Sequence, residues 1–273
     1  MESVTLIVIL LYTVSTAFYT AYFAKQKETW HRTAFLLLLS GFVIHVLCIG
    51  IQYLQTGIFP AGNLKENLSL ASGAVAGVYL LLKYKFNIKI LGFFAASLAA
   101  IVIIISFFLT GVAVPEHSPL FKNFWLITHV TIIFIGEAAF ALACGAGILY
   151  LAQENAIKTK NHGFFYKRLP SLDLIDSTGY ACIVVGFTLL TIGLIIGLVY
   201  AKSVWGRFWS WDPKEVWSMI SWLLYAALLH QRLTMGWRGR RAALMSIIGF
   251  AALMFTFFGV NFFLSGHHGV FTK

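Results

Sequence analysis

The chain carries eight stretches of roughly twenty mostly apolar residues, at about 4–24, 33–54, 67–84, 88–110, 124–151, 178–201, 216–235 and 242–264. A run of about 17–25 such residues has the length to cross a hydrocarbon core as a helix. In lipid the backbone groups must be satisfied within the segment or in a closed barrel, and runs of this length select the helix. The expected fold is all-α, a polytopic membrane helix bundle of about eight transmembrane helices, with residues 1–273 forming a single integral-membrane domain. At 11% charged residues, a chain of 273 has too little polar surface for a soluble globule. A formal net charge of +10 would suggest nucleic acid in a soluble protein, but the basic residues sit in short loops between apolar runs, and no nucleic-acid partner is expected.

Those basic residues set an orientation. Taking alternate connections as cytoplasmic puts Lys25, Lys27, Arg32, Lys83, Lys85, Lys89, Lys158, Lys160, Lys167, Arg168, Arg232, Arg238, Arg240 and Arg241 inside, which is 14 of the 20 basic residues. Cationic loops favour the cytoplasm, so both termini are expected to be extracytoplasmic. The N-terminus opens with Met1 and Glu2 and lacks a basic n-region ahead of the first apolar run, which is read as a retained span. Cys48, Cys144 and Cys182 lie inside apolar runs without a C-x-x-C pairing and read as core residues. In the long inner loop, Ser171 and Asp173 suit the start of a short interfacial helix. Glycines within the spans, among them Gly136, Gly186, Gly193 and Gly197, suit close helix packing.

Between two of the runs lies 205–217, WGRFWSWDPKEVW, with four tryptophans, a phenylalanine and four charged side chains in thirteen residues. Tryptophan favours a membrane interface, since its ring is apolar and its N–H wants a polar partner. The charge bias places this segment outside the membrane. Asp212 stands where it would cap a helix starting at Pro213, and Asp212 and Glu215 also suit the orienting of an indole or a histidine.

Ionisable groups in or beside spans are functional candidates by default. His31, His117 and His162 fall in loops and are expected to be solvated. His129, early in the fifth span, and His268, after the eighth, lie at the level of the tryptophan-rich segment on either side of it in sequence. Two neutral imidazoles across an aromatic platform would suit axial ligation of a haem iron, with Arg207, Lys214 or Lys202 for the propionates; each would equally serve as an interfacial histidine bonded to a loop carbonyl. His230 lies about 20 Å along its helix from Trp217 and His45 at a different depth, so one metal held by both is not expected; His45 suits hydrogen bonding within the bundle. Glu137, two turns beyond His129, is a second costly group.

With these residues in view, WGRFWSWDPKEVW resembles the tryptophan-rich WWD signature of haem-handling membrane proteins of cytochrome c maturation. LPSLDLIDSTGY, WSMISWLLYAALLHQR, FWLITHV, GVNFFLSGHHG and FPAGNLKENLSL resemble the CcsA (ResC) family of the system II pathway, over most of the chain. The resemblance implies a haem-binding subunit of a holocytochrome c synthase, delivering haem b to the outer face and positioning it for thioether attachment to a C-x-x-C-H apocytochrome c, a lyase-type reaction. It implies His129 and His268 as axial ligands, His230 as the transmembrane histidine of haem passage, and Trp205, Arg207, Trp209, Trp211, Asp212, Lys214 and Trp217 as the haem-facing segment. The implied partners are a CcsB/ResB-type membrane protein, the apocytochrome and a thiol-reducing thioredoxin-like pathway. The implied location is the plasma (inner) membrane, or the thylakoid membrane for a plastid-encoded chain. The His267-His268-Gly269-Val270 ending departs from the family's Leu-His-Ser-Tyr, which leaves His267 as a rival to His268, and Glu137 departs from a less polar position. The alternatives are a CcmC-like haem exporter or chaperone and a HemX-like regulator, neither with ligase activity.

Overall fold

The computed structural model describes residues 2–86, 89–109, 122–160 and 163–263, so His117, His162, His267 and His268 lie outside the described residues. The helices are α1 (Glu2–Lys25), α2 (Glu28–Thr56), α3 (Leu64–Phe86), α4 (Lys89–Phe108), α5 (Phe124–Lys158), a short α6 (Phe164–Arg168), α7 (Leu172–Trp205), α8 (Pro213–Thr234) and α9 (Arg240–Met254). A π turn, Phe255–Gly259, continues α9 into α10 (Val260–Phe263). Each of the eight apolar runs coincides with a long helix, the last being the continuous α9–π–α10 rod. Among the described residues there is no strand.

Six of these helices have both the length and the apolar character to cross a membrane: α1, α2, α4, α5, α7 and Arg240–Gly259. Helices α3 and α8 match them in length, at 23 and 22 residues, but are more polar. For α3 the reason lies in its surroundings. It packs against α2, α4 and α5 and buries Asn67, Ser72, Gly73 and Tyr79 along with its aliphatic residues, so less of it has to be compatible with lipid.

Consecutive long helices run antiparallel, giving the bundle two chemically distinct ends. Near the predicted inner end, Lys89 pairs with Glu28 at 2.6 Å, Arg240 with Glu154 at 3.0 Å and Arg232 with Asp176 at 2.7 Å. His31 belongs here, and the expectation of a solvated imidazole is corrected. Only two residues connect α1 to α2, so the first turn of α2 folds back on α1 and leaves His31 2% exposed, with its ring centroid 5.9 Å from that of Tyr19 and 5.3 Å from that of Tyr22. The predicted interfacial helix at Ser171 is also revised. Ser171 caps α7 itself, accepting from the Leu174 N–H, and the short helix of this loop is α6, ahead of Pro170.

Close approach of α5 and α7 dominates the second half of the bundle. A Cβ on Gly136 would stand 3.2 Å from the Gly186 carbonyl oxygen, and one on Gly186 would meet the Phe140 ring at 2.9 Å; small residues let helix backbones approach where lipid supplies no hydrophobic drive between them. Phe140 in turn stacks on Tyr225 of α8, centroids 3.6 Å apart. His45, 3% exposed, is held inside the first half by Ser69 at Nε2 (2.9 Å) and by the Tyr12 hydroxyl at Nδ1 (3.4 Å), the bundle hydrogen bonding expected of it. The three cysteines are free thiols.

Candidate functional site

The end of the bundle opposite the ion pairs of Glu28, Glu154 and Asp176 is where α5 begins, α7 ends and α8 begins. Helix α5 starts cleanly because the Asn123 side chain accepts from the Trp125 N–H at 2.9 Å, which puts His129 in its second turn. Helix α7 stops at Trp205, where Gly206 takes the left-handed conformation, φ 72°, that glycine adopts without Cβ strain; Lys202 Nζ donates to its carbonyl at 2.8 Å. The chain then crosses 206–212 and enters α8 at Pro213.

That crossing is held by one carboxylate. Asp212 caps α8, its Oδ1 accepting from the Lys214 N–H at 2.9 Å, and Glu215 completes a reciprocal capping box. Glu215 also reaches the residues on both sides of Trp211: it accepts from Ser210 N–H at 2.8 Å, from the Ser210 hydroxyl at 2.9 Å and from Asp212 N–H at 3.3 Å. Trp211 between them adopts φ 59°, unusual for a bulky residue, and its indole stands 78% exposed. Glu215 thus holds the backbone on both sides of Trp211, while Asp212 caps the helix that follows.

Beneath this segment lies a cleft of about 260 Å³. Its walls include His129 and Glu137 from α5, Gly197 and Trp205 from α7, Trp209 from the crossing and Lys214 from α8. The predicted site residues therefore divide. His129, Trp205, Trp209 and Lys214 come together at the cleft. Trp211 meets Trp209 edge-on, centroids 5.8 Å apart, and like Arg207 is not part of the lining. Trp217 packs at 4.4 Å against Phe255 of the π turn, and Asp212 is buried as the cap, 4% exposed. His230 is far along α8, exposed on the outside of the bundle. His268 and its rival His267 lie outside the described residues.

His129 is anchored by α7. Its Nδ1 lies 2.7 Å from the Gly193 carbonyl oxygen; a carbonyl cannot donate, so Nδ1 carries the proton and the neutral ring has its lone pair on Nε2. Gly197, one turn on, lets the ring lie against the α7 backbone, since a Cβ there would stand 2.6 Å from Cε1. The carbonyl that His129 meets belongs to helix α7 rather than to the loop expected of an interfacial histidine, and it engages Nδ1. Gly193 and Gly197 look in the sequence like packing glycines alone; their i, i+4 spacing was the signal that one face of α7 is open to an incoming ring.

Electrostatically the cleft is mixed. Burial pushes the Lys214 ammonium below its ordinary value, and the Glu137 and Asp212 carboxylates oppose that shift. An imidazole lone pair, two indoles, aliphatic walls and one cation would suit a flat, largely apolar ligand bearing a metal and an anionic edge.

A family model described as cytochrome C assembly protein matches residues 61–268. The cytochrome c biogenesis protein CcsA of Mesostigma viride is 34% identical over 262 residues, 87% of this chain and 86% of that protein. The CcsA protein of Guillardia theta is 32% identical, over 81% of this chain and 80% of its own. Among solved structures, the cytochrome c heme lyase CcmF superposes with a TM-score of 0.65 at 17% identity, covering 98% of this chain and 47% of that one. The chain spans about half the length of that protein, and the likeness is one of fold. The arrangement of α5, α7 and α8 around the tryptophan-rich crossing thus stands in a multi-pass membrane protein whose sequence relatives match it over most of its length, and the chain belongs to the CcsA family of cytochrome c biogenesis proteins.

Proposed function

We propose that this chain is the haem-binding subunit of a system II cytochrome c synthase, holding haem b in the outer cleft for thioether attachment to a C-x-x-C-H apocytochrome c. The observation that carries this reading is His129: an imidazole in the cleft wall whose Nδ1 proton is directed at the Gly193 carbonyl. A backbone carbonyl on the far nitrogen is the usual means of orienting a metal-ligating histidine, so the residues present fit the iron of a haem.

In this reading His129 is one axial ligand and His268, by the family resemblance, the other. Trp205 and Trp209 lie against the macrocycle and exclude water, and Lys214 meets a propionate. The haem is substrate here. Each cysteine thiol of the apocytochrome adds across a vinyl double bond, sulfur to the inner carbon and its proton to the terminal one, so no oxidant is required. The protein supplies no nucleophile; holding the reacting groups in register raises their effective concentration. The thiols must arrive reduced, which is the place of a thioredoxin-like reductant. His230, facing away from this bundle, is suited to meet a histidine from a CcsB/ResB-type partner along the haem route. The tryptophan-rich segment faces the periplasm, the cell exterior or, in a plastid, the thylakoid lumen.

Co-expression with an apocytochrome and a CcsB-type partner tests the reading. Purified chain is expected to show a low-spin, bis-imidazole b-type spectrum that is lost in His129→Ala and His268→Ala, together with covalent haem on the apocytochrome. Spectra unchanged in both variants would remove the ligand assignment. Haem bound through His129 but never transferred covalently would instead make the chain an exporter or chaperone.

A further inference from the structure

Glu137 has no part in the function proposed above. It lies eight residues, about 12 Å along α5, beyond His129, so it marks the inner end of the cleft that both residues line. Lys214, from the first turn of α8, lines the same cleft, and the two charges act on each other. Yet among the described residues they form no ion pair, the pairs within 4 Å being elsewhere, and neither charged group has a hydrogen-bond partner. Glu137 and Lys214 thus line one largely apolar cleft, with Asp212 as a second carboxylate acting on Lys214, and a polar group of a ligand entering that cleft would meet both. Charged groups in such surroundings are costly unless something compensates them.

The size of the cleft says which part of a ligand enters. About 260 Å³ falls below the roughly 300–1,000 Å³ of pockets that enclose a whole drug-sized molecule, so a tetrapyrrole enters by one edge. Its propionates and vinyl groups occupy opposite edges. Lys214, in the first turn of α8, is the cation of the lining that a carboxylate edge would meet.

We infer that Glu137 is a release residue, competing with the haem propionate for Lys214 so that the cargo is held firmly enough to be oriented and loosely enough to be handed on. A carboxylate entering the cleft is attracted by Lys214 and repelled by Glu137, and the repulsion acts within a low-dielectric wall where charges a few ångströms apart interact strongly. Glu137 touches no reacting atom; it acts through Lys214.

This inference rests on haem being the cargo, and the experiment keeps the two apart by titrating purified chain with haem and with haem dimethyl ester, whose carboxylates are blocked. Low-spin absorbance that disappears in His129→Ala reports the cargo itself. For the intact protein, haem is expected to bind more tightly than the ester. Lys214→Gln should bring the ratio of the two affinities close to one, with Lys214→Arg restoring it. Glu137→Gln, which preserves side-chain volume, should raise the ratio about tenfold, the scale of one charge-assisted contact, while slowing haem dissociation in stopped flow. A ratio that is unchanged or lower in Glu137→Gln overturns the release role even if His129-dependent binding of both ligands persists. No His129-dependent spectrum with either ligand overturns the function reading and this inference with it.

Discussion

A Cβ added to Gly197 would stand 2.6 Å from Cε1 of His129, so the helix that anchors the imidazole through the Gly193 carbonyl also has no room for a side chain beneath the ring. Gly197→Ala is therefore expected to displace His129 while leaving the bundle intact. Overpacking of this kind costs about 1–3 kcal/mol, enough for about a tenfold loss of haem affinity. An absorbance titration checks it, with unchanged circular dichroism as the control for folding.

Trp211 sets stability against function. Its left-handed backbone costs a residue with a Cβ about 1–2 kcal/mol, and its indole, 78% exposed, returns little in burial. Trp211→Gly is expected to raise the thermal unfolding midpoint in detergent and to lower the yield of covalent cytochrome c. Local strain retained at a working site gives this pattern. A lower midpoint would show that the indole stabilises the crossing more than its backbone strains it.

At the end of the bundle away from the tryptophan-rich crossing, Arg232 and Asp176 make a bidentate pair with bonds of 3.1 and 2.7 Å, and Asp176 also accepts from the Gly239 N–H at 2.9 Å. Both side chains are largely buried. Removing one partner strands the other charge, so Arg232→Met should cost about 3 kcal/mol. The double variant Arg232→Met/Asp176→Leu should recover much of that loss. Thermal unfolding of the three proteins gives the comparison.

His230 is exposed on the outside of α8. Replacing it by alanine should move the unfolding free energy by no more than about 0.5 kcal/mol, while reducing covalent cytochrome c when a CcsB-type partner is present. Product yield beside the unfolding midpoint separates a role at an interface from a role in the fold.

How far the sequence foretold these features depends on the range of the forces involved. Hydropathy locates spans one segment at a time, so all eight apolar runs became helices; helix caps are equally local, so Asp212 and Pro213 were readable from WDPKE. Burial of His31 was not, because it needs Tyr19 and Tyr22 of one helix to meet the first turn of the next. Nor does spacing reveal that Trp205 and Trp209 face the cleft while Trp211 turns away: that division follows from Glu215 gripping Ser210 and Asp212, three bonds that no periodicity encodes. The family motif grouped these aromatic residues as one surface, and the backbone distributes them over three environments.

The polarity of α3 and α8 has a consequence for biosynthesis. Partition of a nascent segment between translocation channel and lipid follows its own apolar content, and these two segments are the weakest of the eight on that scale. Each is followed closely in the chain by a more apolar helix packed against it, α4 and α9. In a bundle of eight spans, membrane entry of α3 and α8 would therefore depend on the more apolar helix made next.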